Sequence, residues 1–114
     1  MPKPGEHHIT IYKGRAFDLT LNLKDADGVA KNLTGYTAYA EVRLSESGSV
    51  ILDLNPTIAN ATGGVVTISL TGNATANATV GRYSWDLVCD DADGKELPPY
   101  VIGRASVEPV ITQP

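Results

Sequence analysis

The chain has 114 residues, 42% of them hydrophobic, and a formal net charge of −4 from 9 Lys and Arg against 13 Asp and Glu. One domain with a single core fits that length, and this apolar content excludes disorder throughout. The basic residues are scattered, which excludes an electrostatic footprint for nucleic acid or an anionic membrane surface, and no apolar run approaches the roughly 18 residues that span a bilayer.

The leading segment, Met1-Pro2-Lys3-Pro4-Gly5, is polar and is followed by no apolar stretch of the kind a secretory signal needs. Cys89 is the only cysteine, so neither an internal disulfide nor a cysteine-based zinc site is expected. Both features fit synthesis in a reducing cytoplasm. Residues 1–8, with Pro2 and Pro4, read as an extended arm, because proline cannot join a central ladder.

The first expected strand is Ile9–Tyr12, followed by the clearest period-two run, Arg15 to Lys24. There Phe17, Leu19, Leu21 and Leu23 point one way, and Asp18, Thr20, Asn22 and Lys24 the other. Asp25-Ala26-Asp27-Gly28 marks a tight turn. In Tyr36 to Leu44, the set Tyr36, Ala38, Ala40, Val42 and Leu44 is expected inside, and Thr37, Tyr39, Glu41 and Arg43 outside. Ser47-Gly48 then separates this strand from Ser49–Leu54, and Thr62-Gly63-Gly64 opens Val65–Leu70. The Ala-rich stretch Gly72 to Val80 allows a turn of helix and is too short for a free-standing one. In Arg82 to Cys89, Tyr83, Trp85, Leu87 and Cys89 alternate with Ser84, Asp86 and Val88. A second Asp-Ala-Asp-Gly turn at residues 91–94 precedes the last strand, Tyr100–Val107, and residues 108–114 form a closing arm. About seven strands at short, regular spacing predict an all-β sandwich or barrel in one domain spanning residues 1–114.

No catalytic or metal centre assembles from this pattern. The two Asp-Ala-Asp-Gly turns begin like calcium loops, yet neither goes on to supply the bidentate Glu of an EF-hand, and hairpin turns explain the same letters. His7 and His8 are adjacent, so in a strand they face opposite sides, and there is no third histidine. Ser84 and Ser106 sit in no G-x-S-x-G elbow, the acids form no evident convergent pair, and no Gly-rich phosphate loop leads into a helix. Cys89 falls on the apolar face with Trp85 and Leu87, where a thiol acts as a small hydrophobe with a raised pKa. Four Asn-x-Thr triplets begin at Asn32, Asn60, Asn73 and Asn77, and without a signal sequence they read as loop chemistry rather than glycan acceptors. Trp85 and Tyr83 are expected in the core. The outward Tyr39 is the better surface candidate.

The order of features also carries a resemblance. Tyr12-Lys13-Gly14-Arg15-Ala16-Phe17, Leu23-Lys24-Asp25-Ala26-Asp27-Gly28 and Asn32-Leu33-Thr34-Gly35-Tyr36 come first. Ala40-Glu41-Val42-Arg43 and Gly64-Val65-Val66-Thr67-Ile68-Ser69-Leu70 follow. Gly81-Arg82-Tyr83-Ser84-Trp85-Asp86-Leu87 and Gly103-Arg104-Ala105-Ser106-Val107 close the series. From about Ile9 to Val107 the chain resembles the immunoglobulin-like β-sandwich domains of tailed bacteriophages, and is similar in particular to the N-terminal domain of phage baseplate upper proteins.

That resemblance implies an immunoglobulin-like antiparallel β-sandwich of about seven strands with extended terminal arms, 1–8 and 108–114. It implies a virion structural protein, made in the host cytoplasm, acting as a tail or baseplate adaptor or as a capsid decoration protein. Partners would be other virion proteins and copies of the chain itself, with no cofactor, no metal, no nucleic acid and no membrane. Ile9 and Ile11 next to the first arm, Val110 and Ile111 of the second, and Tyr39 are the expected partner-binding residues. A carbohydrate- or receptor-binding module is the rival from another class. An enzyme is not expected, because no nucleophile, base and orienting group can be named together.

Overall fold

The longest strand forms where alternation is cleanest. In β8 (Gly81–Asp90), Trp85, Leu87 and Cys89 are buried, while Arg82 and Ser84 face solvent. The computed structural model describes residues 5–25, 27–44 and 48–112. Residues 1–4 and 113–114 of the expected arms, Ala26 of the first Asp-Ala-Asp-Gly turn and Ser47 of the Ser47-Gly48 turn lie outside the described residues.

The remaining strands are β1 (Gly5–Glu6), β2 (Ile9–Tyr12), β3 (Phe17–Asn22), β4 (Thr37–Arg43), β5 (Val50–Asp53), β6 (Thr57–Asn60), β7 (Val65–Leu70) and β9 (Val101–Glu108). They form two sheets, one ordered β1-β9-β8-β4-β5 with β2 also on β9, the other ordered β3-β7-β6. The sheets enclose one core that holds Ile11, Leu33, Val42, Leu54, Val66, Ile68, Leu87 and Val107, making an immunoglobulin-like all-β sandwich. A single turn of helix, α1 (Gly72–Ala76), connects β7 to β8. Thr71 caps it by accepting from the Ala74 amide at 3.2 Å, and buried Thr75 donates to the Arg15 carbonyl at 2.7 Å, which ties α1 to the start of β3.

Cross-strand size matching sets the sheet around Trp85. In register, Trp85 lies beside Val42 on β4 and Gly103 on β9, and Leu87 lies beside Ala40 and Val101. Gly103 is required by close approach. A Cβ there would sit 2.0 Å from the His7 carbonyl oxygen and 3.0 Å from the Trp85 ring nitrogen.

Three expectations change. β1 and β2 pair with β9 in parallel, every other strand pair being antiparallel. Residues 5–8 are therefore bound to the sheet rather than free: the Gly5 amide donates to Tyr100 O at 2.8 Å and the His7 amide to Ile102 O at 2.9 Å. Leu44, expected inside, is 67% exposed, because β4 ends at Arg43 where its register with β5 shifts between Val42 and Arg43. β6 was not anticipated, since Thr-Ile-Ala-Asn has one large apolar residue and no alternation to read.

Candidate docking surface

The pleat that buries Trp85, Leu87 and Val42 turns their neighbours outward, so the outer face of the larger sheet follows from the register. Tyr39 stands opposite Val88. In the next row Asp53, Glu41, Asp86, Ile102 and Glu6 succeed one another across β5, β4, β8, β9 and β1. The row beyond contains Arg43, Ser84 and Arg104, and His8 reaches it by accepting the Arg104 amide on Nδ1 at 3.0 Å. An acidic row therefore lies beside a basic one.

One acid is paired with a charge across that boundary, and a second is held beside an imidazole. Arg43 donates to Glu41 Oε1 from Nε at 3.1 Å and from Nη2 at 2.7 Å, and its Nη1 donates to the Gly48 carbonyl at 3.0 Å. Glu6 Oε1 lies 2.9 Å from His8 Nε2. Asp86 sits between them, directly opposite Glu41. Burial, and then the Glu41 charge, push its pKa above the ordinary aspartate value, while Arg43 opposes the rise.

Apolar groups interrupt the charges. Tyr39 is 48% and Ile102 42% exposed, with half-buried Val88 close to both rows. Val88 lines two shallow depressions, one shared with Glu41, Asp86 and Ile102, the other with Tyr39, Asp90 and Leu97. A surface with exposed apolar groups flanked by ordered polar contacts suits an interface with another protein.

The structure divides the partner-binding residues expected from the sequence. Tyr39 is on this outer face. Ile9 and Ile11 are not available: 6% and 0% exposed, they belong to the core, because β2 pairs with β9 and turns them inward beside Ala105 and Val107. Val110 is half-buried and Ile111 fully exposed, past the end of β9 and away from Tyr39's strand pair. The sequence did not single out Val88, Ile102 or the Glu41–Asp86 pairing. The alternation of Val101, Gly103 and Ala105 with Ile102 and Arg104 is the signal that places Ile102 outward.

Turn chemistry accounts for both Asp-x-Asp-Gly segments and for the Asn-x-Thr triplets at Asn32 and Asn60. Asp25 Oδ1 accepts the Asp27 and Val29 amides at 2.9 and 3.1 Å, and Asp91 Oδ1 accepts those of Asp93 and Lys95, both at 2.9 Å. Gly28 and Gly94 take φ of 80° and 82°, so the two Asp-x-Asp-Gly segments are the same Asx-closed hairpin loop. Asn32 Oδ1 accepts from the Thr34 amide and hydroxyl at 3.0 and 2.7 Å, and Asn60 Oδ1 from the Thr62 hydroxyl at 3.2 Å and the Gly63 amide at 3.0 Å. Among the described residues no three His, Cys, Asp or Glu side chains gather as a metal site would require. Trp85 is 3% exposed and its Nε1 donates to the His7 carbonyl at 2.8 Å, with the two rings edge-on at 6.5 Å. Cys89 is buried, and burial, with the Asp90 charge second, pushes its thiol pKa up to about 11.

No protein-family model matches the chain, and no curated protein resembles it in sequence. A solved structure does share its fold. The chain is similar to the N-terminal domain of phage TP901-1 ORF48, with a TM-score of 0.64 at 14% identity over 93% of this chain and 90% of that one. It also aligns with the Lin-41 filamin domain, with a TM-score of 0.47 at 17% identity over 87% of this chain and 82% of that one. With murine CRIg the TM-score is 0.42 at 12% identity, over 89% of this chain and 92% of that one.

Proposed function

We propose that this domain is a structural module of a bacteriophage virion, a tail or baseplate adaptor. It docks a neighbouring virion protein through the outer face of its larger sheet, around Tyr39, Val88 and Ile102. The observation that carries this reading is the near end-to-end similarity to a phage-encoded domain, 93% of one chain on 90% of the other. The phage-like order of motifs in the sequence supports it independently. The module acts by shape and by the paired acidic and basic rows, and not by catalysis; its turns close on themselves, and its thiol is held protonated in the core.

Mass spectrometry of purified particles from a phage encoding this chain tests the proposal. The expected result is a component of fixed, multiple copy number, lost from particles when Tyr39 and Ile102 are both replaced by Asp. Particles that lack the chain altogether would overturn the reading.

A further inference from the structure

A sheet edge offers unpaired amides and carbonyls to any strand that reaches it, and proteins blunt edges with short strands, bulges, interruptions, lysines or prolines. Among the described residues three of the four edges here are blunted. β5 and β6 have four residues each, and both break register with their neighbours, at Val42/Arg43 and Ile58/Asn60. β1 and β2 are split at His7–His8, where the His8 imidazole takes the Arg104 amide. β3 differs. It runs six residues in unbroken register, from Phe17 opposite Leu70 to Asn22 opposite Val65, with no proline, lysine or arginine.

The phase of its hydrogen bonds shows what that edge offers. One step past Asn22, the Leu23 amide donates to Gly64 O at 2.8 Å, so the odd-numbered residues bond toward β7. The amides and carbonyls of Asp18, Thr20 and Asn22 therefore point the other way, where the sheet order places no described strand. Phe17 and Leu19 are only half-buried on this strand, whereas Leu21 is 8% exposed.

We infer that β3 pairs antiparallel with β3 of a second copy of this chain, about a two-fold axis at Thr20. The strand is complementary to itself in that register. The even residues meet even residues, Thr20 facing Thr20 and Asp18 facing Asn22, so each outward amide and carbonyl of the three finds a partner. Leu19 falls beside Leu21 of the second copy, on the side where apolar surface remains half-covered. Charge permits the approach. Asp18 is the one charged residue among the outward positions of the smaller sheet, the others being Thr20, Asn22, Thr57, Asn60, Val65, Thr67 and Ser69. Asp18 meets an amide side chain, not another acid. Thr20 already continues a cross-strand row with Thr67 and Thr57, and the pairing extends that row across both copies. This inference does not depend on which virion protein the larger sheet meets.

Sedimentation equilibrium on the full chain tests it, with four variants. Thr20→Pro removes only an amide that points away from β7, and Thr20→Lys sets two ammonium groups opposite one another across the axis. Both are to be checked for native circular dichroism. Thr57→Lys places the same charge at the opposite side of the smaller sheet, and Thr20→Cys permits oxidative cross-linking of two copies. The expected result is a reversible wild-type dimer, weakened about tenfold or more by Thr20→Lys, unaffected by Thr57→Lys, and captured covalently by Thr20→Cys. A wild-type chain still monomeric at about 1 mM would assign the edge to a different strand and overturn the inference. A dimer that Thr20→Lys leaves intact would overturn it equally.

Discussion

The Trp85 indole hydrogen-bonds across 78 residues of sequence to the His7 carbonyl at 2.8 Å, and the side chain missing from Gly103 is what lets them meet. This contact fixes the first segment of the chain to the centre of the larger sheet. Trp85→Phe keeps most of the ring's packing but deletes the donor, and is expected to cost roughly 1–3 kcal/mol, since a carbonyl in the rim of the core loses its partner. Trp85→Ala is expected to cost about 3–5 kcal/mol. Gly103→Ala is expected to destabilise as well, by forcing β1 and β2 off β9. Urea unfolding followed by circular dichroism measures all three, and a Trp85→Ala protein of normal stability would reverse the facing assignment of β8.

Tyr39 makes the opposite case. It is 48% exposed on the outer face, so Tyr39→Ala is expected to change stability by no more than about 0.5 kcal/mol. Its effect belongs to docking: incorporation into particles should fall while the purified domain keeps its midpoint in urea. Unchanged incorporation of Tyr39→Ala together with Ile102→Ala would remove this face from consideration.

Asp86 gives a signed pH dependence. Its pKa is raised in the folded protein, by burial first and the Glu41 charge second, so the folded chain holds a proton that the unfolded chain has already released. Stability from this group is full below the ordinary value of 3.8 and falls as pH rises through the raised one. Asp86→Asn should therefore melt at least as high as the wild type at pH 7 and lose its advantage near pH 3. A lower melting temperature for Asp86→Asn at pH 7 would show that the carboxylate makes a compensating contact.

Cys89 behaves the same way at the alkaline end. With its pKa raised from 9.0 to about 11, it is a neutral thiol at pH 7 and is closed to solvent in the core. Alkylating reagents are expected to leave it untouched in the native protein and to modify it on unfolding. Raising the pH through 9 should begin to destabilise the fold, because only the unfolded thiol ionises there. Rapid native labelling at pH 7 would contradict the burial.

Much of the sandwich could be read from Phe17–Leu23, Ala38–Val42 and Tyr83–Cys89, because successive side chains leave a strand on opposite sides and one side must be dry. Ile9 and Ile11 show where that reading stops. Their alternation with Thr10 and Tyr12 correctly marks a strand, and the same letters serve an arm lying on a neighbouring molecule or a strand on the chain's own β9. Only the position of β9, more than 90 residues later, decides between them. The surface around Val88 was hidden for the same reason, since opposition of Tyr39 to Val88 and of Glu41 to Asp86 is a matter of register.

The sequence by itself determined which residues are apolar on one side of each long strand, where the chain turns, and that Cys89 and Trp85 go inside. These are local properties, set by the two-residue pleat and by the preferences of Asp, Asn and Gly for turns. Tertiary structure decided which strands are neighbours, that the first segment runs parallel to the last strand, and that β3 has an open edge among the described residues. Pairing is made by backbone groups common to all non-proline residues, so strand partners are selected by the packing of the whole core and not by any one segment's letters.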